Sequence, residues 1–472
     1  MNLNLDPGKN IHFIGVGGTG MSGLAIILHK MGYKVSGSDL NDNISTRTLK
    51  ENGIMVYNFH NSGNISGSTQ LVVRSAAIPI ENPEIFTAKA RNIEIIKYSQ
   101  MLGYIMKLKK GIAVAGTHGK TTTTSMIAFI LKQANYYPGF VIGGIVNQLQ
   151  GSSSAGSGDL FVAEACEYDR SFLNLEPQYA IINNIEEDHL DYYRNLDDIE
   201  EAFIDFTKNI REDGILFYFN GCPNTKKVVE SVDVKKISYG LEEESNYRCL
   251  SIDFNKARET FYKVLTPAKE EIEIRLSLFG LHNIINSLAA FSFCHEIGVP
   301  SDVIVKALSE FKGIKRRFEI LYNKKFMIVD DYAHHPTEIK TVLKYTRENF
   351  KKNRIIVVFQ PHQHSRTRFL LDDFATSFSH PDIVIVPDIY FVRDTELEKK
   401  MISSKDLVKK IVSKGGNAFY IPSFLEIEKF LDDNIIEDDL IIFMGAGNIN
   451  EIAYNLVASL EENFEIKQED KK

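Results

Sequence analysis

The sequence predicts an α/β protein built on mainly parallel sheets. Three junctions predict it, each an apolar strand-like run, a glycine-bearing turn and a helix-like stretch. The first is Ile11-His-Phe-Ile-Gly-Val-Gly-Gly-Thr-Gly, which leads into the helical pattern Met21 to Met31. The second is Ile112-Ala-Val-Ala-Gly-Thr-His-Gly-Lys-Thr-Thr, which leads into a helix through Leu131. The third is Leu440-Ile-Ile-Phe-Met-Gly-Ala-Gly-Asn.

Between these junctions short apolar runs alternate with amphipathic stretches. The runs are Lys34 to Ser38, Leu71 to Val73, Leu160 to Ala163, Ala180 to Ile182, Met327 to Val329, Ile355 to Phe359 and Ile383 to Val386. Each reads as a buried strand followed by a covering helix. Residues 215–278 differ, with β-leaning segments broken by charged turns, and read as an antiparallel insertion or edge of the middle domain. Lys107 to Lys110 reads as a basic linker, and Gly313 to Arg317 as a glycine-plus-basic junction. These divide the chain into domains at 1–107, 108–313 and 314–472. The charged tail Glu461 to Lys472 is expected to fray.

A length of 472 residues suits roughly three domains of about 150 each. The 44% hydrophobic and 25% charged composition is that of an ordinary globular protein. A net charge of -8 supplies no basic field for nucleic acid. Met1 to Asn10 is polar and lacks the apolar centre of a signal peptide, and no apolar stretch is long enough to span a bilayer. The four cysteines (Cys166, Cys222, Cys249, Cys294) are widely spaced and form no metal-type pair. A reducing cytoplasm, with no membrane insertion, is the expected setting. Cys166 is expected to be a small half-buried residue.

The second junction carries the strongest chemistry. Gly116 and Gly119 expose backbone N–H groups to phosphates, Lys120 adds a point charge, and the Thr121 hydroxyl suits Mg²⁺. The longer form of this motif would have a glycine at Val114; here Gly116 serves instead, so the loop is a variant. A phosphate loop needs a carboxylate at the end of a neighbouring strand, and Glu164 has that place. His189, in Asn183-Asn-Ile-Glu-Glu-Asp-His-Leu-Asp-Tyr-Tyr, is either a core histidine or a group over the phosphates or on a second metal. Gly15, Gly17 and Gly20 fit a diphosphate turn, with Asp39 placed to meet a ribose; NAD and a nucleotide sugar are equally compatible. Gly445 and Gly447 are expected to be structural. Asp330-Asp-Tyr-Ala-His-His-Pro-Thr-Glu closes another strand, and Arg316, Arg317 and Arg366 suit phosphate or carboxylate.

Together these stretches resemble the Mur ligase family. The likeness runs over residues 8–460 and rests on segments in family order. They are the turn at 15–20, Ser75-Ala-Ala-Ile-Pro, Gly116-Thr-His-Gly-Lys-Thr-Thr, Glu164-Ala-Cys-Glu-Tyr-Asp and Asp188-His-Leu-Asp-Tyr-Tyr. Then come Gly280-Leu-His-Asn-Ile-Ile-Asn, Arg316-Arg-Phe-Glu, the 330–338 segment and His362-Gln-His-Ser-Arg-Thr. The resemblance implies a Rossmann-like N-terminal domain for a UDP-sugar, a P-loop ATPase-like central domain and a dinucleotide-fold-like C-terminal domain for an amino acid. It implies ATP-dependent joining of L-alanine to the lactyl carboxylate of UDP-N-acetylmuramate, a peptidoglycan precursor step, by a monomer or homodimer.

It also implies roles residue by residue. Gly15, Gly17, Gly18 and Gly20 would cradle the UDP diphosphate, with Asp39, His60 and Ser75 holding the nucleotide sugar. Gly116, Thr117, His118, Gly119, Lys120, Thr121 and Thr122 would form the ATP loop. Asn283 and Asn286 would lie at the adenine side, and Arg317 and Asp331 would reach ATP. Thr121 and Glu164 would hold a first Mg²⁺, and His189 a second metal. Tyr332, His334 and Arg366 would meet L-alanine. The reacting centre would be Lys120, Glu164, His189, Arg317 and His334.

This chain departs from the family at Cys166 and Tyr168, within a motif that commonly reads Glu-Ala-Asp-Glu-Ser-Asp, and at Gln363, where a second arginine is frequent. The carbamylated lysine of several sister ligases falls at Phe203, so none is expected. Three other readings compete: a sister ligase that attaches a preformed tripeptide, an NAD-dependent oxidoreductase, and a nucleotide-binding regulatory module without chemistry.

Overall fold

The computed structural model describes residues 5–6, 8–189, 192–254, 260–278, 280–350, 353–392 and 394–469, with side chains described to residue 460 except that of Phe254. Of the stretches singled out in the sequence, Met1 to Asn4, Pro7, Leu190, Asp191, residues 255–259 and residues 470–472 lie outside the described set. The chain forms two compact units, Met1–Ile314 and Lys315–Lys472.

The first unit holds two sheets. One has five parallel strands in the order Met55–Tyr57, Lys34–Ser38, Asn10–Ile14, Leu71–Arg74, Glu94–Lys97. Its strand order reverses beside Asn10–Ile14, which leaves a crevice at the carboxyl ends of that strand and Leu71–Arg74, the usual ligand position in an open parallel sheet. Gly15 and Ser75 stand there. The second sheet has ten strands, and at its centre Lys110–Ala115 lies between Leu160–Glu164 and Tyr179–Ile182. All three run parallel, so the segments after Ala115, Glu164 and Ile182 emerge on one edge. That topology, rather than sequence proximity, brings the loop at 116–119 together with Glu164 and the 183–189 segment.

Residues 215–278 are only partly the antiparallel insertion expected. Ile215–Phe219 and Lys235–Gly240 extend the parallel sheet, and Tyr247–Phe254 joins in parallel. Antiparallel pairing begins with Thr260–Leu265 and Glu271–Leu276. The basic stretch at 107–110 is also shorter than a linker. Lys107 ends the helix Tyr98–Lys107 and Lys110 opens a strand.

Apolar burial explains why the first unit is continuous. One core runs from Phe13, Leu24 and Leu102 through Ala113 and Phe161 to Phe203 and Leu216, so both sheets share it. Phe203 is wholly buried, 5.1 Å from the Phe172 ring in an edge-to-face arrangement. That position is core packing.

The second unit has six strands in the order Glu319–Asn323, Met327–Asp331, Leu440–Met444, Ile355–Phe359, Ile383–Val386, Ala418–Tyr420. The first pair is antiparallel and the rest parallel. Its own buried clusters lie on the two faces of this sheet. The terminal helix Asn450–Glu469 carries much of the tail that was expected to fray.

Candidate active site

The phosphate loop is made by strand, turn and helix in succession. Gly119 caps the helix Lys120–Gln133 with φ 79°, a left-handed conformation that a side chain resists. A β-carbon there would also run into Asn286 Oδ1. Lys120, Thr121 and Thr122 form the first helical turn, where backbone N–H groups have no partner within the helix. Thr117 N–H donates to Asn184 O at 2.9 Å and His118 N–H to Asn184 Oδ1 at 2.7 Å. Glu186 N–H donates to Thr117 Oγ1 at 2.9 Å. The strand end after Ile182 therefore holds the loop open.

Lys120 is the half-buried cation of this loop. Its Nζ donates to Gly116 O at 2.5 Å, Thr117 O at 3.1 Å and Glu167 Oε1 at 2.9 Å. Burial works to lower its pKa, but the neighbouring negative groups, Glu167 first, outweigh that and hold it above the ordinary lysine value. Thr121 Oγ1 donates to Glu164 Oε2 at 3.0 Å, and Gly143 N–H donates to Glu164 Oε1 at 2.5 Å. Lysine and threonine thus each face a different carboxylate.

Glu167 was not singled out from the sequence, although it stands in the quoted acidic motif. Its side chain is 3% exposed, and its Oε2 is buried with no hydrogen-bond partner among the described residues. His189 Nε2 lies 3.8 Å from Glu167 Oε1 and 3.8 Å from Asp188 Oδ2. Ligand atoms of Glu167, Asp188 and His189 lie within 4.8 Å of one another, close enough to share a cation. His189 adopts φ 53°, and the Tyr168 ring packs edge-on against it at 5.0 Å. The departure at Tyr168 therefore touches the histidine directly. Cys166 is exposed rather than half-buried as expected. The atoms packed about its sulfur, with Glu167 next, push its thiol up to about 11, so it stays protonated at neutral pH.

Asn286 is 6% exposed and accepts from Thr123 Oγ1 at 3.4 Å. It braces the loop from behind, and Asn283 lies one turn earlier on the same helix, Leu281–Glu296.

At the first glycine turn, Gly17 N–H donates to Asp39 Oδ2 at 2.8 Å. The acidic residue expected at a ribose therefore also closes the turn, and it occupies one N–H expected to face a diphosphate. A β-carbon at Gly17 would collide with Asp39, and one at Gly20 with the Tyr98 hydroxyl. Gly18 caps the helix Thr19–Lys30, and Ser75 N–H pairs with Ile14 O at 3.0 Å. His60 Nδ1 lies 3.2 Å from Glu84 Oε2.

In the second unit Asp331 is 3% exposed and accepts Phe318 N–H and Ala333 N–H, each at 2.8 Å. Its evident work is to fold the two segments around it. Burial raises its pKa against the pull of Arg317. Arg316 is structural too: it donates to Gly445 O at 2.5 Å and Gly447 O at 3.1 Å, tying down the third glycine turn. Arg317 stacks 5.8 Å from the Tyr332 ring. His334 Nδ1 lies 3.1 Å from Tyr332 O, which only an Nδ1–H can satisfy, so Nε2 carries the lone pair of the neutral ring. Burial lowers the His334 pKa, Glu338 opposes, and Arg366 and Arg317 reinforce it. Arg366 lies on the short helix His364–Phe369, whose first N–H groups are held by Asp394.

Three family models match in series. They are the Mur ligase family catalytic domain at residues 10–110, the Mur ligase middle domain at 114–294 and the Mur ligase glutamate ligase domain at 316–447. The UDP-N-acetylmuramate–L-alanine ligase of Agathobacter rectalis is 40% identical over 452 residues, 95% of this chain and 97% of that one. Its counterpart from Caldanaerobacter subterraneus is 40% identical over 465 residues, 98% of this chain and 100% of that one. Among solved structures, the UDP-N-acetylmuramate–alanine ligase MurC of Thermotoga maritima aligns with a TM-score of 0.80 at 30% identity, covering 96% of this chain and 99% of that one. The murein peptide ligase of Psychrobacter arcticus aligns with a TM-score of 0.73 at 26% identity, covering 96% and 99%.

Proposed function

The chain belongs to the Mur ligase family, and from that premise we propose how its residues perform the reaction. It is an ATP-dependent amide-bond-forming ligase that adds L-alanine to UDP-N-acetylmuramate. One arrangement carries the mechanistic reading: a phosphate loop whose lysine and threonine each meet a separate carboxylate.

A carboxylate acylates poorly, because oxide would have to leave. ATP solves this. The lactyl carboxylate attacks the γ-phosphorus, ADP departs, and an acyl phosphate forms. The alanine amine then attacks the acyl carbon, the tetrahedral intermediate collapses, and phosphate leaves. Both steps bring anions together, so the protein's task is charge neutralisation and alignment. The loop N–H groups of 116–122 bind the nucleotide phosphates. Lys120 exchanges its contacts with Gly116 O and Thr117 O for phosphate oxygens while Glu167 steadies its charge.

The donor set suits Mg²⁺: Thr121 with Glu164 would hold one ion, and His189 with Glu167 and Asp188 a second. When bound, Mg²⁺ supplies positive charge to phosphate oxygens. In the N-terminal span 1–107, Gly15, Gly17, Gly18, Gly20, Asp39, His60 and Ser75 hold the sugar nucleotide; residues 108–313 hold ATP. In 314–472, Tyr332, His334 and Arg366 receive L-alanine, with the His334 Nε2 lone pair available to the amine proton. Among the described residues no helix is long and apolar enough to cross a membrane, and a cytoplasmic setting fits the substrates.

A phosphate-release assay tests the reading. Release should require ATP, UDP-N-acetylmuramate and L-alanine together. Equal or faster release with the tripeptide L-alanyl-γ-D-glutamyl-meso-diaminopimelate would point to the sister activity instead.

A further inference from the structure

The helix Pro83–Ala90 begins at the bottom of a buried polar cluster that the reaction does not explain. Glu84, its second residue, is wholly buried, and among the described residues each of its oxygens accepts from a side-chain donor. Ser38 Oγ donates to its Oε2 at 2.6 Å and Asn64 Nδ2 to its Oε1 at 2.5 Å. His60 Nδ1 lies 3.2 Å from Oε2, and His12 Nε2 lies 3.8 Å from Oε1. His12 is itself wholly buried, with Nδ1 2.9 Å from Ser36 Oγ. Burial works to raise the Glu84 pKa, but the His12 imidazole 3.8 Å away and hydrogen bonds from Ser38 and Asn64 outweigh it and hold the carboxyl below its ordinary value.

The proton positions follow by elimination. Ser38 has a single hydroxyl proton, and its short bond to Glu84 uses it. His60 Nδ1 faces that hydroxyl oxygen at 3.1 Å and the carboxylate at 3.2 Å, two acceptors. Nδ1 must therefore carry hydrogen. In the neutral ring, Nε2 is then an acceptor, and it has no partner among the described residues. The ring is 13% exposed, beside the turn where Asp39 N–H meets Tyr57 O at 3.0 Å, on the carboxyl edge of the first sheet.

We propose that Glu84 is a positioning residue for base selection. Through Nδ1–H of His60 it locks the imidazole so that the Nε2 lone pair accepts the N3–H of uracil and meets the N3 lone pair of cytosine as a mismatch. This rests on the reading that His60 lies at the sugar nucleotide. A glutamine at 84 does not preserve this arrangement: an NH₂ in place of Oε2 makes the Ser38 hydroxyl turn its proton away and no longer accepts the Nδ1–H of His60, which frees the ring to take the other tautomer.

The test is a double-mutant cycle on the full chain, with UDP and CDP as calorimetric probes at pH 8, where an ordinary imidazole is neutral. The parent should prefer UDP. Glu84→Gln and His60→Phe should each weaken UDP about ten-fold and bring the UDP/CDP ratio toward one, the loss expected for one hydrogen bond. The double variant should be no weaker than His60→Phe alone, and in turnover the effect should fall on KM for UDP-N-acetylmuramate. Should Glu84→Gln fail to fold, Glu84→Asp, which keeps an acceptor-only group, takes its place with an intermediate ratio expected. Additive losses, or UDP and CDP weakened alike, would make Glu84 merely structural and overturn the inference alone. A His60→Phe protein that binds UDP as the parent does would overturn the underlying reading as well.

Discussion

Lys120 shows how a single side chain can be read twice. It is satisfied by two loop carbonyls and Glu167; in the mechanism we propose, it leaves the carbonyls for the nucleotide. Lys120→Ala should lower ATP-dependent phosphate release by roughly a thousand-fold, the scale of losing a transition-state charge partner. Turnover near that of the parent would remove the loop from the mechanism. Asp330 offers a different test. Burial pushes its carboxyl up to about 6, ahead of the opposing pull of Arg316, whose Nε lies 3.3 Å away. An unfolded chain ionises aspartate at about 4. Between those values unfolding releases a proton, so native stability falls as pH rises through the window and levels off above it. Asp330→Asn lacks this loss. Urea melts should show the variant gaining on the parent by on the order of 3 kcal/mol between pH 4 and pH 7. The pull of Arg316 is already contained in that value, so only the packing change at the amide adds a roughly constant offset; a pH-independent difference throughout would refute the assignment.

At the scale of elements, the strand–loop–helix junction does the positioning. Gly119 turns the chain left-handed with Asn286 pressed against it. Gly32 offers a control, since it has φ 91° with open space where a β-carbon would go. Both alanine variants meet backbone strain of about 1 kcal/mol. Only Gly119→Ala must also displace Asn286. Gly119→Ala should therefore show the larger drop in Tm and a raised KM for ATP, whereas Gly32→Ala should bind ATP as the parent does. Equal behaviour of the two would mean that the loop tolerates a side chain. The same logic covers the 168–174 segment, where Asp169 and Arg170 are left-handed and ion pairs Lys97–Asp169 at 2.6 Å and Arg170–Asp198 at 2.7 Å pin it. Tyr168 leaves that segment to pack on His189.

For the whole molecule, the division of the core decides what can stand alone. The second unit buries its own clusters on both sheet faces, so a fragment of residues 315–472 should fold cooperatively by circular dichroism and urea titration. A fragment of residues 1–107 should not match it, because the core of the first sheet continues into Ala113, Phe161 and Phe203. A sharp unfolding transition for 1–107 would contradict the continuous core.

The carriers of local geometry were legible in the linear chain. Gly116 to Thr121, the apolar strands 355–359 and 383–386, and the order of the motifs each follow from nearest-neighbour chemistry: glycine where the backbone turns left-handed, β-branched runs where both sheet faces are buried. Glu167 was not legible as a partner of Lys120, nor Glu84 as the anchor of His60, because 47 and 24 residues separate those pairs. Nor could spacing show that Asp39 closes the glycine turn, that Asp331 folds its own loop, or that 215–240 extends the parallel sheet. Such pairings are set by strand order and by burial, which leave a polar atom one set of partners. The chain alone therefore determined which segments form the glycine turns and strand ends on which the proposed phosphate chemistry rests; the sheets decided which carboxylate each cation and imidazole would meet.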